Sequence, residues 1–294
     1  YHGMHDYMLF STGSSPVSAM GHRRSPIPSP TSSGIPKAIH QLVAALPYND
    51  FEMLDRTVRQ AWGDVAAIIV EPILGNLGGI MPQPGWLEQI RTLCDQYGIV
   101  MIMDEVKTGF RIAPGGAQEY FGVQADLVTY AKAMGNGFPI AVIAGRKEVM
   151  ASVGPGRTAH GGTYCGNVVG TAAADATLEI IAQGQALKTV EARGKALIKG
   201  IQDVLSDADI PHRINGVPAM FGIAFCEEEP VDYRTWSRSD SALYEKIMMA
   251  LVRNGAAPDP DGREPWFLCA ALSEPDVEDT LTYLQDAVKK AKGG

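Results

Sequence analysis

Ile99-Val-Met-Ile-Met-Asp104-Glu-Val-Lys-Thr-Gly-Phe-Arg111 is the stretch on which the fold turns. Five apolar residues run without polar alternation and stop at a carboxylate, which predicts a short strand buried on both faces. Just upstream, Leu87, Ile90, Leu93, Cys94 and Tyr97 recur at helical spacing, and Gly98 closes that helix. Before the helix lies a second branched apolar run, Val65 to Val70, ending at Glu71-Pro72. Leu127 to Tyr130 and Ile140 to Ala144 read as two further short strands. Strands alternating with helices predict an α/β fold whose sheet is mostly parallel and flanked by helices. In such sheets ligands bind beyond the carboxyl ends of the strands, which is where Glu71 and Asp104 fall.

Farther out, Asn49 with Glu52 forms a capping-box pattern, followed by Phe51, Leu54, Val58 and Trp62 at helical spacing up to Gly63. Gly13 to Pro36 is rich in Ser, Pro and Gly and reads as a long loop. Asn167 to about Leu205 reads as long helix with a break near Gly184. The remainder alternates short strands (Ala219 to Cys226, Trp266 to Ala271) with helices near 241–253 and 275–291. This predicts a large domain over 1–185 and a smaller C-terminal α+β domain over 186–294.

The 294 residues are 46% hydrophobic and 20% charged, ordinary values for a globular chain, and the net charge of −8 argues against a general nucleic-acid binder. Cys94, Cys165, Cys226 and Cys269 are scattered with no CxxC pair, so neither zinc nor a disulfide framework is expected. Reduced thiols in a cytoplasmic enzyme are the plain reading. His2 and His5 have no carboxylate or cysteine cluster to complete a metal site. No apolar run approaches the roughly 20 residues that cross a bilayer. Neither a GxGxxG fingerprint nor a GxSxG elbow is present.

Three segments carry chemistry: Asp104 to Arg111, Ala131-Lys132-Ala-Met-Gly-Asn-Gly137, and Gly161-Gly-Thr-Tyr-Cys-Gly-Asn167. A lysine just after a strand, before a Gly-rich turn, is suited to Schiff-base chemistry if burial beside a cationic ring lowers its pKa. A strand-end aspartate can hold a pyridine nitrogen protonated. Thr163, among glycines and ahead of a helix, suits a phosphate. Each alone has a plainer reading: a solvated lysine, an aspartate capping a turn, an ordinary GGT turn.

Together they resemble the class III, fold-type I pyridoxal-phosphate aminotransferases, most of all the glutamate-1-semialdehyde aminomutase-like branch. The likeness rests on Tyr1-His-Gly3, Leu46-Pro-Tyr-Asn-Asp50, Ile69-Val-Glu-Pro72 with Gly75-Asn76, Asp104 to Arg111, Gly115 to Gly122, and the 28 positions from Asp104 to Lys132. The resemblance implies a pyridoxal 5′-phosphate cofactor and a fold-type I transferase lacking the family's N-terminal part, with its phosphate-holding turn. It makes Lys132 the cofactor lysine and proton carrier, Asp104 the partner of the ring nitrogen, and Val106 the apolar side chain on one ring face. Tyr1 becomes the aromatic on the other face, with His2 and Gly3 beside it. Thr163 would reach the phosphate of a neighbouring subunit's cofactor, which implies a homodimer, and Glu71 stands on the substrate side. The Ser-rich loop Ser11 to Ser33 aligns with the family's mobile cover. The implied activity is amino transfer between an amino acid or amine and a keto acid. Ala131-Lys132-Ala and Thr158-Ala-His-Gly-Gly162 depart from the aminomutase pattern, which leaves intramolecular amino transfer second and a catalytically incomplete scaffold third.

Overall fold

The computed structural model describes residues 1–293. Along the chain run α1 (Phe51–Ala61), β1 (Ala67–Val70), α2 (Trp86–Tyr97), β2 (Val100–Asp104), α3 (Gly116–Phe121), β3 (Leu127–Tyr130), β4 (Val142–Gly145), α4 (Val168–Ala182) and α5 (Gln185–Asp207). There follow β5 (Arg213–Val217), β6 (Met220–Ala224), α6 (Ser241–Asn254), β7 (Trp266–Phe267) and α7 (Glu274–Lys292). The contacts divide the chain into two compact units. One comprises Val58–Pro72 and Pro84–Ala192; the other comprises Tyr1–Thr57, Ile73–Gln83 and everything from Arg193 onward.

The first unit is built on a four-stranded sheet ordered β1-β2-β3-β4, with the first three strands parallel and β4 antiparallel. Met101 and Met103, on one face of β2, are wholly buried, whereas Val100 and Ile102 on the other face are half-buried, and α2 buries Leu87, Ile90, Leu93 and Cys94. That helix stops where Gly98 turns left-handed (φ 67°) and its N–H bonds back to the Cys94 carbonyl. The first strand departs from expectation. Only Ala67–Val70 of the Val65 to Val70 run is strand, and of these only Val70 is buried, because β1 pairs on one side alone. At the end of the sheet remote from Asp104, Asp126 ties the strands together. It takes the Met101 N–H at 2.8 Å and the guanidinium groups of Arg91 and Arg146 at 2.8 Å each.

The second unit holds an antiparallel sheet, β5-β6-β7, whose central strand is buried throughout. Strand β5 has no counterpart in the sequence reading, since Arg-Ile-Asn-Gly-Val offers little apolar alternation. Helices α6 and α7 pack on each other; α6 buries Tyr244, Ile247, Met248 and Leu251, and α7 buries Val277, Leu284 and Val288. The Gly13 to Pro36 loop belongs here and is more ordered than its composition suggests. It includes a 3-10 turn at Val17–Met20 and a two-residue hairpin pairing Gly21–His22 with Ser25–Pro26. Arg23 binds Asp50 at 2.9 Å and the buried Asp232 at 2.6 Å, and Tyr233 donates to the Ser15 carbonyl at 2.8 Å. The capping of α1 also differs from the pattern read in the sequence. Asp50 accepts the Met53 N–H (3.0 Å), while Asn49 bonds the Met81 and Val231 carbonyls and the Gln83 N–H. Those three partners are far away in sequence, so no local pattern could reveal them.

Candidate active site

The three parallel strands bring two of the expected residues, Glu71 and Asp104, to one end of the sheet beside Thr129. Val70 pairs with Met103 and Asp104 with Thr129, so Glu71, Asp104 and Thr129 lie level at the carboxyl ends of β1, β2 and β3. Neighbouring strands stand about 4.8 Å apart. Lys132 follows Thr129 by three residues, in a 3-10 turn spanning Lys132–Gly135. Glu71 is 6% exposed and Asp104 is 8% exposed. The Asp104 Oδ1 accepts the Val106 backbone N–H at 3.0 Å and the Thr129 hydroxyl at 3.1 Å, which fixes the carboxylate plane at the strand end. Val106 itself is half-buried.

Lys132 has a backbone conformation rare for its type, with φ 46°. Its side chain is exposed, so the burial expected around its amine is not supplied by the described residues. The reason is geometric: the lysine sits beyond the end of β3, in the turn rather than in the sheet.

Thr163 lies apart from the strand ends along the sequence. It is exposed and precedes α4 by five residues, in a turn of its own. The helix N-terminus is closed by Asn167, whose Oδ1 accepts the N–H groups of Val169 at 3.0 Å and Gly170 at 3.2 Å. Tyr1, His2 and Gly3 belong to the unit that holds the C-terminal strands; Tyr1 is 45% exposed and Gly3 has φ 96°.

Four residues beside Asp104 and Lys132 escaped the sequence reading. Glu105 has no exposed surface and accepts from the Ala117 N–H (2.5 Å), the Gln118 N–H (3.3 Å) and the Thr108 hydroxyl (3.1 Å). Burial pushes its carboxyl above the ordinary glutamate value, against the pull of those three donors. Gln118 in turn donates to the Tyr130 hydroxyl at 3.2 Å. Lys107, at 5% exposure, is the fourth. The only local hint was the glycine density of the segment, with Gly109, Gly115 and Gly116.

The donor set suits pyridoxal phosphate. A buried, oriented carboxylate can face a protonated ring nitrogen, and a primary amine in the turn that follows the neighbouring strand can meet an aldehyde. A mostly parallel sheet presenting that pair on neighbouring strand ends defines a pyridoxal-phosphate-dependent transferase of fold type I. Residues 1–276 match the class-III aminotransferases, and the chain belongs to that family. It is 36% identical over 291 residues to the glutamate-1-semialdehyde 2,1-aminomutase of Aquifex aeolicus, covering 99% of this chain and 67% of that one. The same enzyme of Methanothermobacter thermautotrophicus is also 36% identical, with the same coverage. The chain thus spans about two thirds of the length of these curated relatives. Among solved structures, an omega-transaminase from Sphaerobacter thermophilus superposes with a TM-score of 0.89 at 28% identity, covering 100% of this chain and 67% of that one. A glutamate-1-semialdehyde aminomutase from Pseudomonas aeruginosa shares the fold with a TM-score of 0.83 at 22% identity, over 99% of this chain and 64% of that one.

Proposed function

We propose that this chain carries the cofactor half-site of an enzyme that moves an amino group from an amino acid or amine to a keto acid, with Lys132 and Asp104 as its catalytic residues. The observation that supports it is the placement of Asp104 and Lys132 at the same end of β2 and β3, in a member of the class-III family. Bound pyridoxal phosphate supplies an electron sink for the charge left on the substrate carbon when a proton departs. Asp104, whose carboxylate the Thr129 hydroxyl and the Val106 N–H hold, would be the residue that keeps the ring nitrogen protonated. Lys132 would hold the cofactor through its Nζ, and the same amine, when free, would be the group that carries a proton. Val106 would be the apolar contact for one ring face, and Tyr1, with His2 and Gly3, the aromatic contact that the family resemblance implies. Glu71 stands on the substrate side. Thr163 serves the phosphate of a second copy in a homodimer, a role its exposure leaves room for. We place the enzyme in the cytoplasm on its scattered thiols.

Incubation with pyridoxal phosphate is expected to turn the protein yellow, and borohydride to bleach it with the label fixed on Lys132. Lys132→Ala abolishes both. A spectrum indifferent to that substitution sinks the assignment.

A second reading is glutamate-1-semialdehyde 2,1-aminomutase activity, favoured by the names of the curated relatives above. Glutamate 1-semialdehyde supplied without any keto acid separates the two. Conversion to 5-aminolevulinate supports the intramolecular reaction, and dependence on an added acceptor supports the intermolecular one.

A further inference from the structure

Lys132 is an L-residue held near φ 46°, where its Cβ crowds the backbone. Such a conformation persists only where the surroundings over-determine it. On the C-terminal side the clamp is plain: the Asn136 N–H returns to the Lys132 carbonyl at 3.1 Å, and Met134 is buried. On the N-terminal side the last fixed side chain before the lysine is Tyr130, and three separate contacts hold it. Its ring lies 4.8 Å from that of Phe110, centroid to centroid. The backbone of Gly109 lies flush against it, so that a Cβ there would stand 2.4 Å from the ring. Its hydroxyl accepts from the Gln118 Nε2 at 3.2 Å.

Gln118 is itself fixed at both ends. Its Oε1 takes the Ala125 N–H at 2.9 Å, and its own backbone N–H points to Glu105. Glu105 then joins the aspartate's side to the lysine's side. Its backbone N–H donates to the Thr129 carbonyl at 3.0 Å, while its carbonyl accepts from Gly109 at 2.8 Å. The chain from Asp104 to Lys132 thus closes into a ring of contacts through Glu105, Gln118 and Tyr130, none of which belongs to the reacting pair.

We infer that Glu105 and Gln118, acting through Tyr130, are positioning residues for Lys132: they hold the lysine turn in its strained form, and so keep its amine aimed at the site that Asp104 serves. The inference rests on the assignment of Lys132 as the cofactor lysine.

Removing Glu105 outright risks unfolding, so the test uses milder changes. Tyr130→Phe keeps the ring and loses only the hydroxyl. Gln118→Leu removes both side-chain bonds, and Gly109→Ala pushes on the ring. Each variant is incubated with pyridoxal phosphate, trapped with borohydride and mapped by peptide, alongside thermal melting without cofactor. The expected result is that capture at Lys132 slows about threefold to tenfold in Tyr130→Phe and Gln118→Leu, the worth of one hydrogen bond. Capture at other lysines stays as in the parent protein. Lower melting temperatures with unchanged capture at Lys132 would show a merely structural network and overturn the inference. If the parent chain is not captured at Lys132 at all, the functional assignment fails, and this inference with it. If the parent is captured and all three variants match it, only the positioning role falls.

Discussion

Gly116 sits at φ 69°, and a Cβ placed on it would lie 2.3 Å from the Glu105 Oε2. Both facts require glycine, the first through backbone sterics and the second because the buried carboxylate has nowhere to retreat. Gly116→Ala is expected to destabilise the protein by about 2–3 kcal/mol, read from chemical denaturation; a loss near zero would mean the carboxylate can move freely. Cysteine reactivity is a second test at this scale. Burial pushes the Cys94 thiol up to about 12, whereas Cys165 and Cys269 are exposed. Alkylation of the native protein near neutral pH should therefore mark Cys269 and spare Cys94 until the protein unfolds. Asp104 was legible in the sequence because a carboxylate ending an apolar run is a local event. Glu105 was not, because what buries it arrives twelve residues later at Ala117.

The same contrast holds for elements. Helix α2, β2 and β3 were readable because apolar residues at period 3.6, or in an unbroken run, mark which face is covered. The depth of β1 and the direction of β4 were not, since both depend on which strand lies alongside. Asp126 shows how the alongside strands are held. Burial disfavours its charged form, but the Met101 N–H and the Arg91 and Arg146 guanidinium groups outweigh that and keep its carboxyl below the ordinary aspartate value. A carboxyl lowered on folding adds stability that is present above the unfolded value of about 3.9 and is lost as pH falls through the folded value. Asp126→Asn is accordingly expected to cost about 2–3 kcal/mol at neutral pH. The gap between variant and parent should shrink as the pH drops below about 4; a gap constant with pH would assign the cost to packing. At the helix scale, Asn167→Ala uncaps α4 and should cost about 1 kcal/mol, with faster amide exchange confined to Val169, Gly170 and their neighbours.

For the molecule as a whole, one stretch of sequence leaves far more apolar surface uncovered than the rest. Between residues 138 and 180, Phe138, Ile143, Tyr164, Val168, Val169 and Ile180 are all about half exposed or more, Tyr164 reaching 82% and Val168 77%. No helix among the described residues is long and apolar enough to cross a membrane, so this exposure is not that of a spanning segment. Water-facing Val and Ile at a strand that pairs only with β3 invite another chain. The proposed homodimer would give these side chains a cover, and would bring a second copy to the turn that bears Thr163. Ile143→Lys and Val168→Lys each add a charge where an interface would need to exclude water, leaving Asp104 and Lys132 untouched. Sedimentation at several concentrations should show the parent chain associating and the double variant moving toward the mass of one chain. Because Thr163 lies five residues from Val168, loss of association should also weaken cofactor retention. A double variant that associates like the parent would remove this surface from the dimer and leave Thr163 without its neighbour.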